Sequence, residues 1–122
     1  MKIDYLFMNP DDELSTYYEE QLGCLNIKGN AKRYERIKNI IDDSENYSVL
    51  VKRLKVKSLD SKTGLKEIIL DKIRALHFIY LDNTVVLLGT FIKETQKTPP
   101  KEIEKNNKRI EIYKEQKNGK LQ

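Results

Sequence analysis

Arg74 stands in a run of Ile, Ala, Leu, Phe and Tyr that reads as a β-strand. A guanidinium there costs desolvation energy unless it binds an anion or has a deliberate partner. Glu67 or Asp71 is that partner in the structural reading. In the functional one Arg74 holds an anion, and Glu67 is either a general base or its counter-ion. Lys93 closes another apolar run, where lysines often mark only the return to water. Lys97, a little further on, reads as a surface or helix-start residue. His77 is the one histidine and has an ordinary pKa near neutrality, which makes it a second-rank proton donor. A lone histidine on an apolar strand is more often packed and hydrogen-bonded, and alternation turns it to the face opposite Arg74. Cys24, beside Gly23 and without an adjacent basic pair, reads as a small buried hydrophobe rather than a nucleophile.

The cations are unevenly spread. Residues 1–23 set Lys2 against Asp4, Asp11, Asp12, Glu13, Glu19 and Glu20, a net charge of −5. Residues 52–74 set Lys52, Arg53, Lys55, Lys57, Lys62, Lys66, Lys72 and Arg74 against Asp60, Glu67 and Asp71, a net of +5 in a chain whose total is only +4. Such a stretch either holds a polyanion or keeps an exposed face solvated. The single cysteine and single histidine exclude an internal disulfide and a Cys/His zinc cage. No cofactor is expected.

A length of 122 residues predicts one domain spanning 1–122. With 39% hydrophobic and 34% charged residues and a mean hydropathy of −0.66, the chain is neither disordered nor a membrane protein. Its longest apolar run, Val85 to Gly89, is far short of the ~18 residues a membrane span needs. Met1-Lys2-Ile3-Asp4 has acid where a secretory signal has a basic head and an apolar stretch, so a cytoplasmic setting is expected.

The elements that must position these residues follow from periodicity. Ile3, Tyr5 and Phe7 alternate as a short first strand. Asn9-Pro10 then starts a helix carrying Leu14, Tyr17, Tyr18, Leu22 and Leu25, with Gly23 positioned to end it. A second helix places Ile27, Ala31, Tyr34, Ile37 and Ile41 on one stripe, with Lys28, Lys32, Arg36 and Asn39 outward. The tyrosines read as core or as a partner-facing stripe. Residues 47–63 read as a basic connection. From Gly64 on, Leu65 to Leu70, Ile73 to Leu81 and Thr84 to Ile92 read as strands joined by tight turns at Asp71-Lys72 and Asp82-Asn83. Thr98 is expected to cap a helix that has Pro99-Pro100 in its first turn and Ile103, Ile110 and Tyr113 on one face. Residues 117–122 are expected to fray. The fold class is α+β: an N-terminal helical hairpin, an antiparallel sheet of about four strands and a C-terminal helix.

The strings Gly64-Leu-Lys-Glu67, Arg74-Ala-Leu, Val86-Leu-Leu88 and Phe91-Ile-Lys93-Glu-Thr-Gln-Lys-Thr-Pro99 together resemble the RelE/HigB toxin superfamily, in its phage-derived Gp49-like branch. The Thr-Gln-Lys-Thr-Pro string between a strand and a helix is the most specific part. The resemblance implies a RelE-like fold and a toxin of a type II toxin–antitoxin pair. Such a toxin cleaves messenger RNA on the translating ribosome and is silenced by a helix-turn-helix antitoxin. Cleavage by a 2′-hydroxyl attacking the adjacent phosphate needs a proton acceptor, a proton donor and cations on the phosphorane, and no metal. By the match, Glu67, Arg74 and Lys93 carry that chemistry and Lys97 is the second lysine of the threonine-flanked motif; Lys57, Lys66, Lys72 and Lys97 are expected to contact RNA.

Two positions depart from the pattern. Ile69 replaces an arginine and Glu94 replaces the second basic residue after Lys93. Losing one preorganised donor typically costs ~2.7–4 kcal/mol in a transition state. Lys66 or Lys72 would have to compensate. The alternative reading is therefore a catalytically degenerate toxin-fold protein that acts by binding RNA or a protein partner, as a phage-type inhibitor. A DNA-binding regulator is disfavoured, because no recognition helix with base-reading side chains appears.

Overall fold

The computed structural model describes residues 1–6, 27–81, 83–94 and 96–120. The helix expected after Asn9, with Tyr17, Tyr18 and Cys24, lies outside the described residues. The elements in chain order are β1 (Lys2–Tyr5), α1 (Asn30–Asp43), α2 (Tyr47–Arg53), β2 (Lys55–Asp60), β3 (Leu65–Leu70), β4 (Ile73–Tyr80), β5 (Thr84–Ile92) and α3 (Pro100–Lys120). The strands form one five-stranded sheet in the order β1-β5-β4-β3-β2.

The α+β class holds, but the sheet is mixed rather than antiparallel. The β2–β5 meander is antiparallel throughout, whereas β1 joins β5 in parallel with Lys2 opposite Thr84 and Tyr5 opposite Leu87. No local turn sets the direction of β1, because most of the chain separates it from its partner. The fifth strand comes from the stretch expected to be a connection. There Asn46 caps α2 by accepting the Val49 N–H at 3.2 Å, and Lys55–Asp60 pairs with β3 as an edge strand. An edge strand with one exposed flank tolerates lysines, which is why its alternation is faint.

Apolar residues cover both sides of the sheet. Tyr34, Ile37 and Ile41 of α1 and Leu50 of α2, with Leu54, pack on Ile68, Ile73, Ala75, Val85 and Leu87. Ile110 and Tyr113 of α3 pack on Leu65, Leu76, Phe78, Val86 and Leu88. Each fully buried Ile or Leu here stabilises the fold by roughly 1.5–3 kcal/mol. The α1 stripe is shorter than its periodicity suggests: Ile27 precedes the helix and is 49% exposed, Ala31 is exposed, and Asn30 is buried instead.

One further expectation needs correction. Thr98 does not cap α3, because its hydroxyl is committed to Glu67, and the Glu102 and Ile103 N–H groups bond the Pro99 carbonyl. The helix α3 runs on to Lys120. Lys117 lies 3.3 Å from the Asp4 carboxylate, which also accepts the Tyr113 hydroxyl at 2.5 Å. Burial alone would raise the Asp4 carboxyl, but the hydrogen bonds from Tyr113 and the Tyr5 N–H and the Lys117 charge hold it below its usual value. Among the described residues no helix is long and apolar enough to cross a membrane.

The β4–β5 ladder is interrupted at one point. Leu76 pairs with Gly89 and His77 with Leu87, so Leu88 is an extra residue on β5, a β-bulge.

Candidate functional site

The β3–β4 turn is closed by Asp71, whose left-handed φ of +52° is one that aspartate tolerates. Its carboxylate pairs with Arg33 of α1 at 2.6 Å. Its carbonyl accepts Arg74 Nη1 at 2.7 Å, and the Ile73 carbonyl accepts the same nitrogen at 2.9 Å. Arg74 is thus held by backbone, and among the described residues neither Glu67 nor Asp71 forms an ion pair with it. Its Nε is buried with no hydrogen-bond partner. A buried donor left unmade costs about 1–3 kcal/mol.

Lys93 extends the β5 ladder past Ile92, its N–H donating to the Lys72 carbonyl at 2.8 Å. This tie brings two more cations beside Arg74. Asp71, Lys72, Arg74, Lys93, Glu94 and Gln96 line a shallow cleft of about 340 Å³. With Asp71 tied to Arg33, Glu94 is the carboxylate of this lining with no ion pair among the described residues.

Glu67 lies on the same face of the sheet as Arg74, since Glu67 is opposite Leu76 and Ile69 is opposite Arg74. It is fully buried, however. Its Oε2 accepts the Thr98 hydroxyl at 2.8 Å, and its Oε1 has no hydrogen-bond partner among the described residues. A carboxylate so covered anchors the loop that carries Lys93 and Lys97. Replacing Thr98 with valine removes this buried hydrogen bond and leaves the Glu67 oxygen unpaired, and is expected to lower stability by about 1–3 kcal/mol. Urea unfolding measures this, and an unchanged midpoint would mean that the pair contributes nothing.

The remaining candidates divide between the two faces. Lys72 and Lys93 join Arg74 in the cleft, while Lys97 is exposed further along the loop and does not line it. Lys57 pairs with Glu67 across β2–β3 and is exposed. Lys66 is opposite His77, so it faces α2 and cannot supply the charge missing at Ile69. His77 is fully buried on that other face, as alternation predicts. Its Nε2 accepts the Tyr47 hydroxyl at 2.9 Å, and its Nδ1 donates to the Ala75 carbonyl at 3.3 Å. Burial pushes the imidazole down to about 4, and the Tyr47 phenol up to about 12. His77 therefore stays neutral and away from the cleft.

Sequence reasoning missed Lys55. It stands opposite Ile69, which stands opposite Arg74 and then Phe91, in one row across the sheet. The position that lacks an arginine thus has a lysine as its cross-strand neighbour. The signal was the Lys55-Val56-Lys57 alternation, with Val56 packed inward.

No curated protein matches the chain. The family model described as phage-derived protein Gp49-like (DUF891) matches residues 27–111, which include β2 to β5, the cleft and the first half of α3. The match covers well over half of the chain, which therefore belongs to the phage-derived Gp49-like family, a branch of the RelE/HigB-like superfamily of toxins from toxin–antitoxin systems.

Proposed function

We propose that this protein is the toxin of a type II toxin–antitoxin pair and that it cleaves messenger RNA on the ribosome, in the cytoplasm. The observation that supports this most is Arg74, held by two carbonyls at a cleft shared with Lys72 and Lys93. Three cations around one small cleft suit a phosphate passing through a dianionic phosphorane. In the proposed step the 2′-oxygen attacks phosphorus and gives its proton to the Glu94 carboxylate. The bond to the 5′-oxygen breaks, and that oxygen takes a proton from the Lys72 or Lys93 ammonium. The products are a 2′,3′-cyclic phosphate and a free 5′-hydroxyl. Glu67, being buried, positions the loop rather than taking the proton. Lys55 and Lys57 hold the flanking RNA from β2. A helix-turn-helix antitoxin silences the protein by laying acidic side chains over these cations.

Tightly controlled induction in a bacterial host, with message integrity read by primer extension, tests the reading. Growth arrest with cleaved messages is expected. Intact messages would overturn it. Arrest with intact messages would favour the degenerate binding inhibitor, for which Ile69 and Glu94 are the specific observations.

Lys55→Ala is expected to lower cleavage by roughly 10–100-fold, the kinetic equivalent of one charged hydrogen bond of ~1.5–3 kcal/mol. Cleavage at the wild-type rate would remove the β2 lysines from the RNA path.

A further inference from the structure

Arg109 projects from α3 toward the sheet and is only 2% exposed. Its Nη1 donates to the Leu88 carbonyl at 2.7 Å and to Asn106 Oδ1 at 3.4 Å. Asn106, fully buried, is held in turn by its Nδ2 donating to the Glu102 carbonyl at 2.7 Å. Leu88 is the residue that the β4–β5 pairing passes over. The guanidinium thus reaches from the helix to the backbone carbonyl at the bulge itself.

The bulge decides which face Lys93 occupies. With Leu88 inserted, Thr90 stands opposite Ala75 and Phe91 opposite Arg74, so Phe91 and Lys93 share the Arg74 face. Continued without the bulge, the pairing that sets His77 opposite Leu87 would put Thr90 opposite Arg74. Lys93 would then point to the α1 side, because a shift of one residue exchanges the two faces.

We infer that Arg109 is a positioning residue for the cleft: by holding the Leu88 carbonyl, it fixes the bulge that turns Lys93 toward Arg74. Its consequence for cleavage rests on the function proposed above, whereas its effect on strand register does not.

Nuclear magnetic resonance of the whole chain separates the two. In the wild type, cross-strand contacts should join Ala75 to Thr90 and Arg74 to Phe91. In Arg109→Met these contacts are expected to be lost or shifted by one residue, while those joining Phe78 to Val86 and Tyr80 to Thr84 persist. Cleavage should fall on the order of 10²-fold, as for a misplaced catalytic group. An Arg109→Met variant that keeps the first two contacts overturns the inference. Lost contacts with undiminished cleavage would uphold the role of Arg109 in the bulge and remove Lys93 from the proposed reaction. Should Arg109→Met not fold, the wild type itself decides. A through-hydrogen-bond coupling between the Arg109 guanidinium nitrogen and the Leu88 carbonyl carbon is expected, and its absence overturns the inference.

Discussion

Arg74→Ala is expected to abolish growth arrest and to reduce message cleavage by about 10²–10³-fold, the usual effect of removing one preorganised donor from a transition state. The large effect follows from how the side chain is held. Its Nη1 is fixed by the Asp71 and Ile73 carbonyls, so the guanidinium does not have to be ordered when a phosphate arrives. Arg74→Lys should recover little, because a single ammonium cannot both bond two carbonyls and present further donors to a phosphate. Stability should change far less than activity, since Arg74 is half-exposed and water can reach the freed carbonyls. Primer extension on induced cells, with thermal unfolding of the purified variants, checks both statements. A folded Arg74→Ala variant that still cleaves messages would take the cleft out of the reaction.

The second large effect concerns stability and pH. His77 carries an imidazole that folding moves from 6.5 to about 4, through burial first and the nearby Lys66 charge in addition. The group facing it from α2 is the Tyr47 hydroxyl, and from its own strand the Ala75 carbonyl. Because the folded state resists protonation, the unfolded state binds more protons between these values, and stability falls as pH is lowered. The contribution is complete above pH 6.5, declines through the interval and levels off below about pH 4. Its full size is about 3 kcal/mol. The Asp4 carboxyl is held below its ordinary 3.8, so the stability it contributes is lost mainly at lower pH and does not mask this interval. Urea unfolding at about pH 7.5 and about pH 4.5 should therefore show a marked loss for the wild type and a much smaller one for His77→Leu. Equal losses would mean that other groups govern acid stability. Cleavage should keep its pH profile in a folded His77 variant, because the imidazole lies on the far side of the sheet from the cleft.

The contrast between His77 and Arg74 shows what strand alternation can carry. They lie three residues apart on β4, and the period-2 rule assigns them to opposite faces without any further information. The same rule fails on β5, where Leu88 interrupts it. Counting forward from Val85 in the sequence would put Lys93 on the wrong face, and Gly89, the residue type here that goes with a bulge, does not by itself fix where the extra residue falls. In the fold the Leu88 carbonyl at that bulge accepts a hydrogen bond from Arg109 on α3.

By itself, then, the amino-acid sequence determined the strands from Leu65 to Ile92 with their tight turns, the buried stripe of Tyr34, Ile37 and Ile41, the C-terminal helix and the placing of Lys72 and Arg74 at one turn. These rest on local periodicity and on hairpins, in which residues close in sequence meet in space. The tertiary structure alone decided that β1 pairs in parallel, that Thr98 closes over Glu67 and that Arg109 holds the bulge. Each is a contact across a long stretch of chain. Its geometry depends on packing between whole elements, which neither composition nor spacing encodes.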